Sequence, residues 1–240
     1  MKIYVIYPAP DVRKEFRFGY SVSCLTVATI AKSIGEVRYF DFSLEDKPVD
    51  TESLLLAEIA HARGPTTCVV YFDSIPLHRS GNVSSARHLC GLLRQAQPSA
   101  RIIACGPYCM IRKMHENCAD VTVVSEPEYS LDIVLKGGIH NGCLTATMKI
   151  ASCVRLIENL DILPSPDRSL LPQGCETPLT TNGTKRLARS AVVSTTRGCL
   201  GACRFCPRGS WNLYRVRHRS VEAIVSELSQ LLREKCRFKI

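Results

Sequence analysis

Over its first 138 residues the chain alternates short β-branched runs with helical apolar patterns, and this strict βαβα order constrains its fold more than any other feature. Residues 3–7, 37–42, 68–72, 102–105 and 121–124 read as strands. Each is apolar at successive positions, as a strand covered on both faces must be, because either side would otherwise meet water. Between them, residues 22–33, 53–62, 84–95, 109–116 and 130–135 carry the spacing of helices. The alternation predicts an α/β domain built on a doubly wound parallel sheet. Ligands of such sheets bind outside the carboxyl ends of the strands. The candidate site therefore consists of the loops at 8–10, 73–76, 106–108 and 125–128, although Gly-Pro and Pro-rich loops are also ordinary turn chemistry.

The Rossmann-like domain is expected to span residues 1–138. After Gly137-Gly138 the periodicity breaks, and residues 139–190, with Pro164, Pro166, Pro172 and Pro178 amid Ser, Thr and Asn, read as a linker with some strand in it. The apolar run Ala191-Val192-Val193-Ser194 is expected to open a second domain, residues 191–240. Residues 221–234 follow as a helix whose Val221, Ile224, Val225, Leu228, Leu231 and Leu232 form an apolar stripe. Arg237-Phe238-Lys239-Ile240 reads as the start of another strand.

Composition narrows the setting. The hydrophobic fraction of 45% predicts a packed core, and 13 cysteines in 240 residues lack the density of a secreted disulfide scaffold, which points to a reducing cytoplasm. Cys24, Cys68, Cys90 and Cys105 sit in apolar stretches and read as small buried hydrophobes. The first apolar run ends at Pro8, too short for a signal-peptide core, and no stretch approaches the roughly 20 apolar residues that cross a bilayer. The net charge of +9 is concentrated late, at Arg204, Arg208, Arg215, Arg217, Arg219, Arg233, Lys235, Arg237 and Lys239. It is expected to form a solvated or phosphate-contacting face, ahead of a nucleic-acid site.

The segment Thr195-Thr196-Arg197-Gly198-Cys199-Leu200-Gly201-Ala202-Cys203-Arg204-Phe205-Cys206-Pro207 carries the chemistry. Its C-x3-C-x2-C spacing places Cys199, Cys203 and Cys206 on one glycine-containing loop, where three thiolates can converge on one metal centre. Three cysteines leave one iron of a cubane without a protein ligand, and an open metal position is a catalytic feature, as it is for zinc. Zinc is the rival reading, with His218 as a fourth ligand.

The segment resembles the cluster-binding loop of the radical S-adenosylmethionine (SAM) superfamily, with the aromatic Phe205 directly before the last cysteine. In that family the open iron is chelated by the amino and carboxylate groups of SAM, and reduction of the 4Fe-4S cluster cleaves SAM to a 5'-deoxyadenosyl radical that abstracts hydrogen from substrate. The resemblance implies that Cys199, Cys203 and Cys206 ligate the cluster and that Phe205 lies near the adenine. It extends through Trp211 and the stretch Tyr214-Arg215-Val216-Arg217-His218-Arg219-Ser220-Val221-Glu222 to the cobalamin-binding subgroup. That subgroup's linker is similar to Asn159-Leu160-Asp161-Ile162-Leu163-Pro164-Ser165-Pro166-Asp167-Arg168. Cys105-Gly106-Pro107-Tyr108 and Ser125-Glu126-Pro127-Glu128 stand where the subgroup has Gly-Gly-Pro-His and Gly-Glu-Gly-Glu.

By this resemblance Ser74, Gly106, Pro107 and Glu126 are the expected cobalamin-binding residues. The Asp-x-His-x-x-Gly motif that ligates cobalt through histidine is absent, and His78 reads as a surface loop residue. The implied fold is a Rossmann-like sheet followed by the beginning of a (β/α) radical SAM barrel. The implied function is radical methyl transfer or cyclisation, with an electron donor such as flavodoxin or ferredoxin. The substrate class, whether small molecule, lipid, tetrapyrrole or peptide, is not identified by any residue.

A full (β/α)8 barrel takes about 250 residues, and only 41 follow Cys199. The chain is therefore expected to be a fragment, a truncated reading frame or half of a split enzyme, inactive alone, with a second chain as one source of the rest. Two other readings stay open: a corrinoid-binding module without turnover, and a zinc-loop protein that binds nucleic acid.

Overall fold

A computed structural model of the chain describes residues 1–11, 20–44, 48–73, 81–139, 142–148, 154–171, 177–181, 184–188, 191–201, 203–204, 206 and 215–233. Five parallel strands form the centre: β1 (Lys2–Tyr7), β2 (Glu36–Asp41), β3 (Thr66–Tyr71), β4 (Arg101–Cys105) and β5 (Val121–Val123). Helices α1 (Val22–Ala31), α2 (Pro48–Ala60), α3 (Val83–Ala96), α4 (Pro107–Arg112) and α5 (Pro127–Leu135) follow them in turn. A short β6 (Cys143–Leu144) runs antiparallel beside β5, and the sheet order is β2-β1-β3-β4-β5-β6. The expected doubly wound Rossmann-like sheet is present.

Alternation along the central strands builds two cores from one sheet. Ile3, Val5 and Tyr7 of β1, with Val69 and Tyr71 of β3 and Ile103 and Cys105 of β4, face a layer made by Leu25 and Ala28 of α1 and Leu131 and Val134 of α5. Tyr4 and Ile6, with Cys68 and Val70 and Ile102 and Ala104, face Leu55 and Ile59 of α2 and Leu89 and Leu93 of α3. Because both faces are dry, every position of β1 after Lys2 and every position of β3 is buried.

Three elements depart from expectation, each for a local reason. Helix α4 stops at Arg112, short of residue 116, because Lys113 adopts the left-handed conformation (φ 51°) and turns the chain out of the helix. Within residues 139–190, β6 and an antiparallel hairpin, β7 (Thr177–Thr181) with β8 (Thr184–Ala188), supply more strand than the Pro-rich composition suggested. The run 191–194 is not a strand. The Val192 N–H donates to the Tyr20 hydroxyl (3.2 Å), and the Val192 carbonyl accepts from Arg168 (2.8 Å), so this backbone is satisfied by side chains instead of a ladder. The strand starts later, as β9 (Thr196–Gly198), which pairs antiparallel with β10 (Val216–His218). Helix α6 (Val221–Arg233) follows. Residues 237–240, expected as a strand, lie outside the described residues.

Among the described residues, no helix is long and apolar enough to cross a membrane.

Candidate functional site

Strand β9 delivers the chain to Cys199. A Cβ built on Gly201 would lie 3.4 Å from Cys199 Sγ and 3.5 Å from Cys203 Sγ, so both sulfurs flank the same small residue. The Gly201 N–H donates to Cys199 Sγ (3.3 Å), which fixes the turn of the loop around that sulfur. The Cys206 N–H donates to the Cys203 carbonyl (3.0 Å), turning the third cysteine back toward the second. No described cysteine is in a disulfide; Cys203 is exposed, and Cys199 and Cys206 are half-buried. Three cysteines on one exposed loop fit the donor chemistry of an iron-sulfur centre. Among the described residues, no group of three Cys, His, Asp or Glu side chains is close enough to hold a metal, so neither Cys206 nor His218 completes a set with the other two sulfurs. Phe205, Ser74 and His78 lie outside the described residues.

The loop is framed by ion pairs. Arg217 on β10 donates from Nη1 to Glu126 Oε2 (2.7 Å) and from Nη2 to Glu126 Oε1 (2.8 Å), and Nη1 also reaches the Ile157 carbonyl (2.6 Å). Both side chains of this bidentate pair are 5% exposed. Arg197, two residues before Cys199, bonds Glu128 Oε1 at 2.6 Å and lies 3.4 Å from Glu126 Oε1. Glu126 and Glu128 belong to the loop after β5, so the strand that leads into the cysteines is tied by charge to the carboxyl edge of the sheet. Burial raises the Glu126 pKa, but the Arg217 hydrogen bond, the Arg197 charge and the Ile157 N–H (2.6 Å) outweigh it and hold the carboxyl below its ordinary value. Burial lowers the Arg197 pKa, and the Glu128 charge and hydrogen bond more than reverse that, so the guanidinium stays charged.

A second knot lies behind the first. Arg168 donates to the Tyr20 hydroxyl (2.7 Å), the Val192 carbonyl (2.8 Å) and Glu227 Oε1 on α6 (2.7 Å). Arg219 holds the other Glu227 oxygen and the Ser194 carbonyl (3.2 Å). The late basic run is thus corrected at its centre. Arg217 is buried and Arg219 nearly so, and their charges serve these internal pairs instead of a solvated face. His218 between them is exposed. Sequence reasoning placed Glu126 and Glu128 in a candidate loop and Arg197 in the cysteine segment, but missed that Arg217 and Arg197 pair with those carboxylates. The only signal was their placement on both flanks of the cysteines and in the 125–128 loop.

The carboxyl ends of the strands form a polar rim. The order β2-β1-β3 places the topological switch point between β1 and β3. There the Tyr7 hydroxyl donates to Asp73 Oδ2 (3.0 Å), while buried Asp41 accepts from the Tyr39 hydroxyl (2.9 Å) and from the Ser21 and Ser43 N–H groups (3.3 and 3.0 Å). Burial raises the Asp41 carboxyl and pushes the Tyr7, Tyr39 and Tyr71 phenols up. Gly106 closes the rim at β4 with φ +111°, and a Cβ there would fall 2.5 Å from the Phe72 carbonyl oxygen. Only glycine permits that approach. Pro107 then starts α4, and the Tyr108 N–H donates to Phe72 O (3.2 Å).

No family model matches the chain, and no curated protein matches it by sequence. Solved structures do match. One is a radical S-adenosylmethionine methyltransferase, TsrM, from Kitasatospora setae, with tryptophan substrate and the SAM analog aza-SAM bound; the TM-score is 0.62 at 15% identity. A second structure of that protein, with cobalamin and a 4Fe-4S cluster bound, gives 0.61 at 14% identity. The chain shares their fold. Each superposition covers 98% of this chain and 46% of the other, so this chain spans about half the length of the protein it matches.

Proposed function

We propose that the chain is a cobalamin-dependent radical SAM protein, with radical methyl transfer as its reaction class and cyclisation as the alternative chemistry. The observation that carries this reading is the cysteine loop itself: Cys199 and Cys203 sulfurs brought to one glycine, with Cys206 turned back by a backbone hydrogen bond. The fold shared with a radical SAM methyltransferase along 98% of the chain supports it. Cys199, Cys203 and Cys206 would hold a 4Fe-4S cluster, Phe205 would lie beside SAM, and Ser74, Gly106 and Pro107 would line the corrin. Glu126 would act through the loop it anchors, because Arg217 takes both of its oxygens.

When bound, these cofactors supply an organic radical and a transferable methyl group; the protein supplies orientation and exclusion of water. The chain's own contribution is legible. Arg197 and Arg217 fix the approach to the cysteines against the carboxyl edge of the sheet, and the phenols and N–H groups of the rim, engaged with Asp41 and Asp73, hold the loops there in place.

Anaerobic loading with iron and sulfide tests the reading. The expected result is a chain that gains iron, sulfide and broad visible absorption, loses most of the iron when Cys199, Cys203 or Cys206 becomes Ala, and co-elutes with hydroxocobalamin on a sizing column. Unchanged iron in the Ala variants, or zinc in place of iron, would overturn it. A corrin spectrum without iron would instead identify a corrinoid-binding module.

A further inference from the structure

Far along the chain from the cluster loop, α3 and the connection from α4 to β5 are laced together by three successive pairs. Arg87 clamps Glu116 through Nε (2.9 Å) and Nη2 (3.2 Å), and Arg94 grips both oxygens of Asp120 at 2.8 Å. Residues 87, 90 and 94 share one helix face, and their partners at 116, 118 and 120 alternate along the connection. Between the two ion pairs two sulfurs interact, Cys90 on α3 and Cys118 on the connection. The connection holds this register by itself, since the Glu116 N–H donates to Thr122 Oγ1 (2.8 Å) and the Ala119 N–H closes on Glu116 O (2.9 Å). Cys90 is fully buried in the α2–α3 core, whereas Cys118 is half-buried at its edge, where a small oxidant can reach it.

We propose that Cys90 and Cys118 form a reversible redox site, in which a peroxide converts the two thiols into a disulfide joining α3 to the α4–β5 connection. The chemistry follows the asymmetry of the pair. The neighbouring sulfur holds the Cys118 thiol below its ordinary pKa, and the same contact together with burial pushes Cys90 up. Cys118, the half-buried sulfur that the oxidant reaches, is the attacking thiolate. Its sulfur takes one peroxide oxygen, the O–O bond breaks, and the departing hydroxide collects the proton Cys118 gave up, leaving a sulfenic acid and one water. The Cys90 sulfur then attacks Cys118 sulfur; the S–O bond breaks and hydroxide leaves with the Cys90 proton as a second water. Two thiols are oxidised by two electrons, one hydrogen peroxide is reduced to two waters, and a dithiol reverses the bond by exchange. The site is independent of whether the cluster loop binds iron.

The test uses the intact chain, treated with hydrogen peroxide, blocked at its remaining thiols, then digested with trypsin. Cleavage releases Cys90 in residues 88–94 and Cys118 in residues 114–136, each with a single cysteine. The expected product is the linked pair of these peptides, lighter by two hydrogens than their sum and lost on reduction with dithiothreitol. Cys90→Ser should trap Cys118 as a dimedone-reactive sulfenic acid without the link. Cys118→Ser, at the less buried position, should leave Cys90 as fully alkylated as in untreated protein. Full alkylation of both cysteines after peroxide, or a link from Cys118 to any other cysteine, would overturn the proposal.

Discussion

Arg217 and Glu126 meet through two charge-assisted hydrogen bonds in a setting where each side chain is 5% exposed, so neither charge has water to fall back on. A buried pair of this kind adds little over an apolar replacement of the same shape, yet removing one partner strands the other. Arg217→Met should therefore cost about 3–5 kcal/mol in chemical denaturation, and Arg217→Met combined with Glu126→Leu should recover part of that loss. A double variant as unstable as the sum of the singles would show that the two groups do not interact. The pair also sets a pH dependence. The folded Glu126 carboxyl titrates below its ordinary value of 4.5, so the unfolded state binds more protons just below that pH. The contribution is complete above that value and is lost as pH falls through the lower folded value. Glu126→Gln should flatten this part of the acid limb in a plot of stability against pH, and an unchanged acid limb would exclude the pair as its source.

Helix α6 shows how unequal the positions of one amphipathic element are. Of its apolar stripe, Leu231 is fully buried, while Val221, Val225 and Leu232 are 69%, 52% and 63% exposed. Leu231→Ala should lower stability by about 2–5 kcal/mol through the transfer and cavity terms of a core leucine. Val221→Glu should stay within about 0.5 kcal/mol of the parent, because most of that side chain already meets water. Equal thermal shifts for the two would contradict this burial pattern. The stripe was legible in the sequence, but which residues of it are covered was not, since periodicity marks a face and not its partner. Strands β1 and β3 were legible for the opposite reason: burial on both sides leaves an unbroken apolar run. β6, at two residues, is too short to carry any period. Some strand is expected in residues 139–190, but its place is not, although Asn182-Gly183, the dipeptide most favoured in two-residue hairpin turns, stands between β7 and β8 in the sequence. Pro164, Pro166, Pro172 and Pro178 point instead to a linker, because proline removes a ladder donor.

At the scale of the whole chain, the cysteine triad was legible because its chemistry is local, three ligands within eight residues. The frame that holds it was not, because Arg217 finds Glu126 across 91 residues and Arg197 finds Glu128 across 69, with no periodicity linking them. Such pairs emerge only once the parallel sheet has carried the 125–128 loop to its carboxyl edge. This division implies a hierarchy of stability. The sheet is held by two dry cores that contain neither arginine, whereas β9 and β10 are a three-residue pair held to it by the charges of Glu126 and Glu128. Glu126→Gln with Glu128→Gln should therefore release the cluster segment without melting the sheet. In hydrogen exchange, amides of residues 196–198 and 216–218 should lose protection in the double variant, while those of β1 and β3 keep theirs. Iron retained after anaerobic loading should fall with the loss of protection, because the cysteines follow β9 directly. If all strands instead exchanged faster together, the carboxylates would be part of the sheet's own stability, and the frame would not be a separable support for the loop.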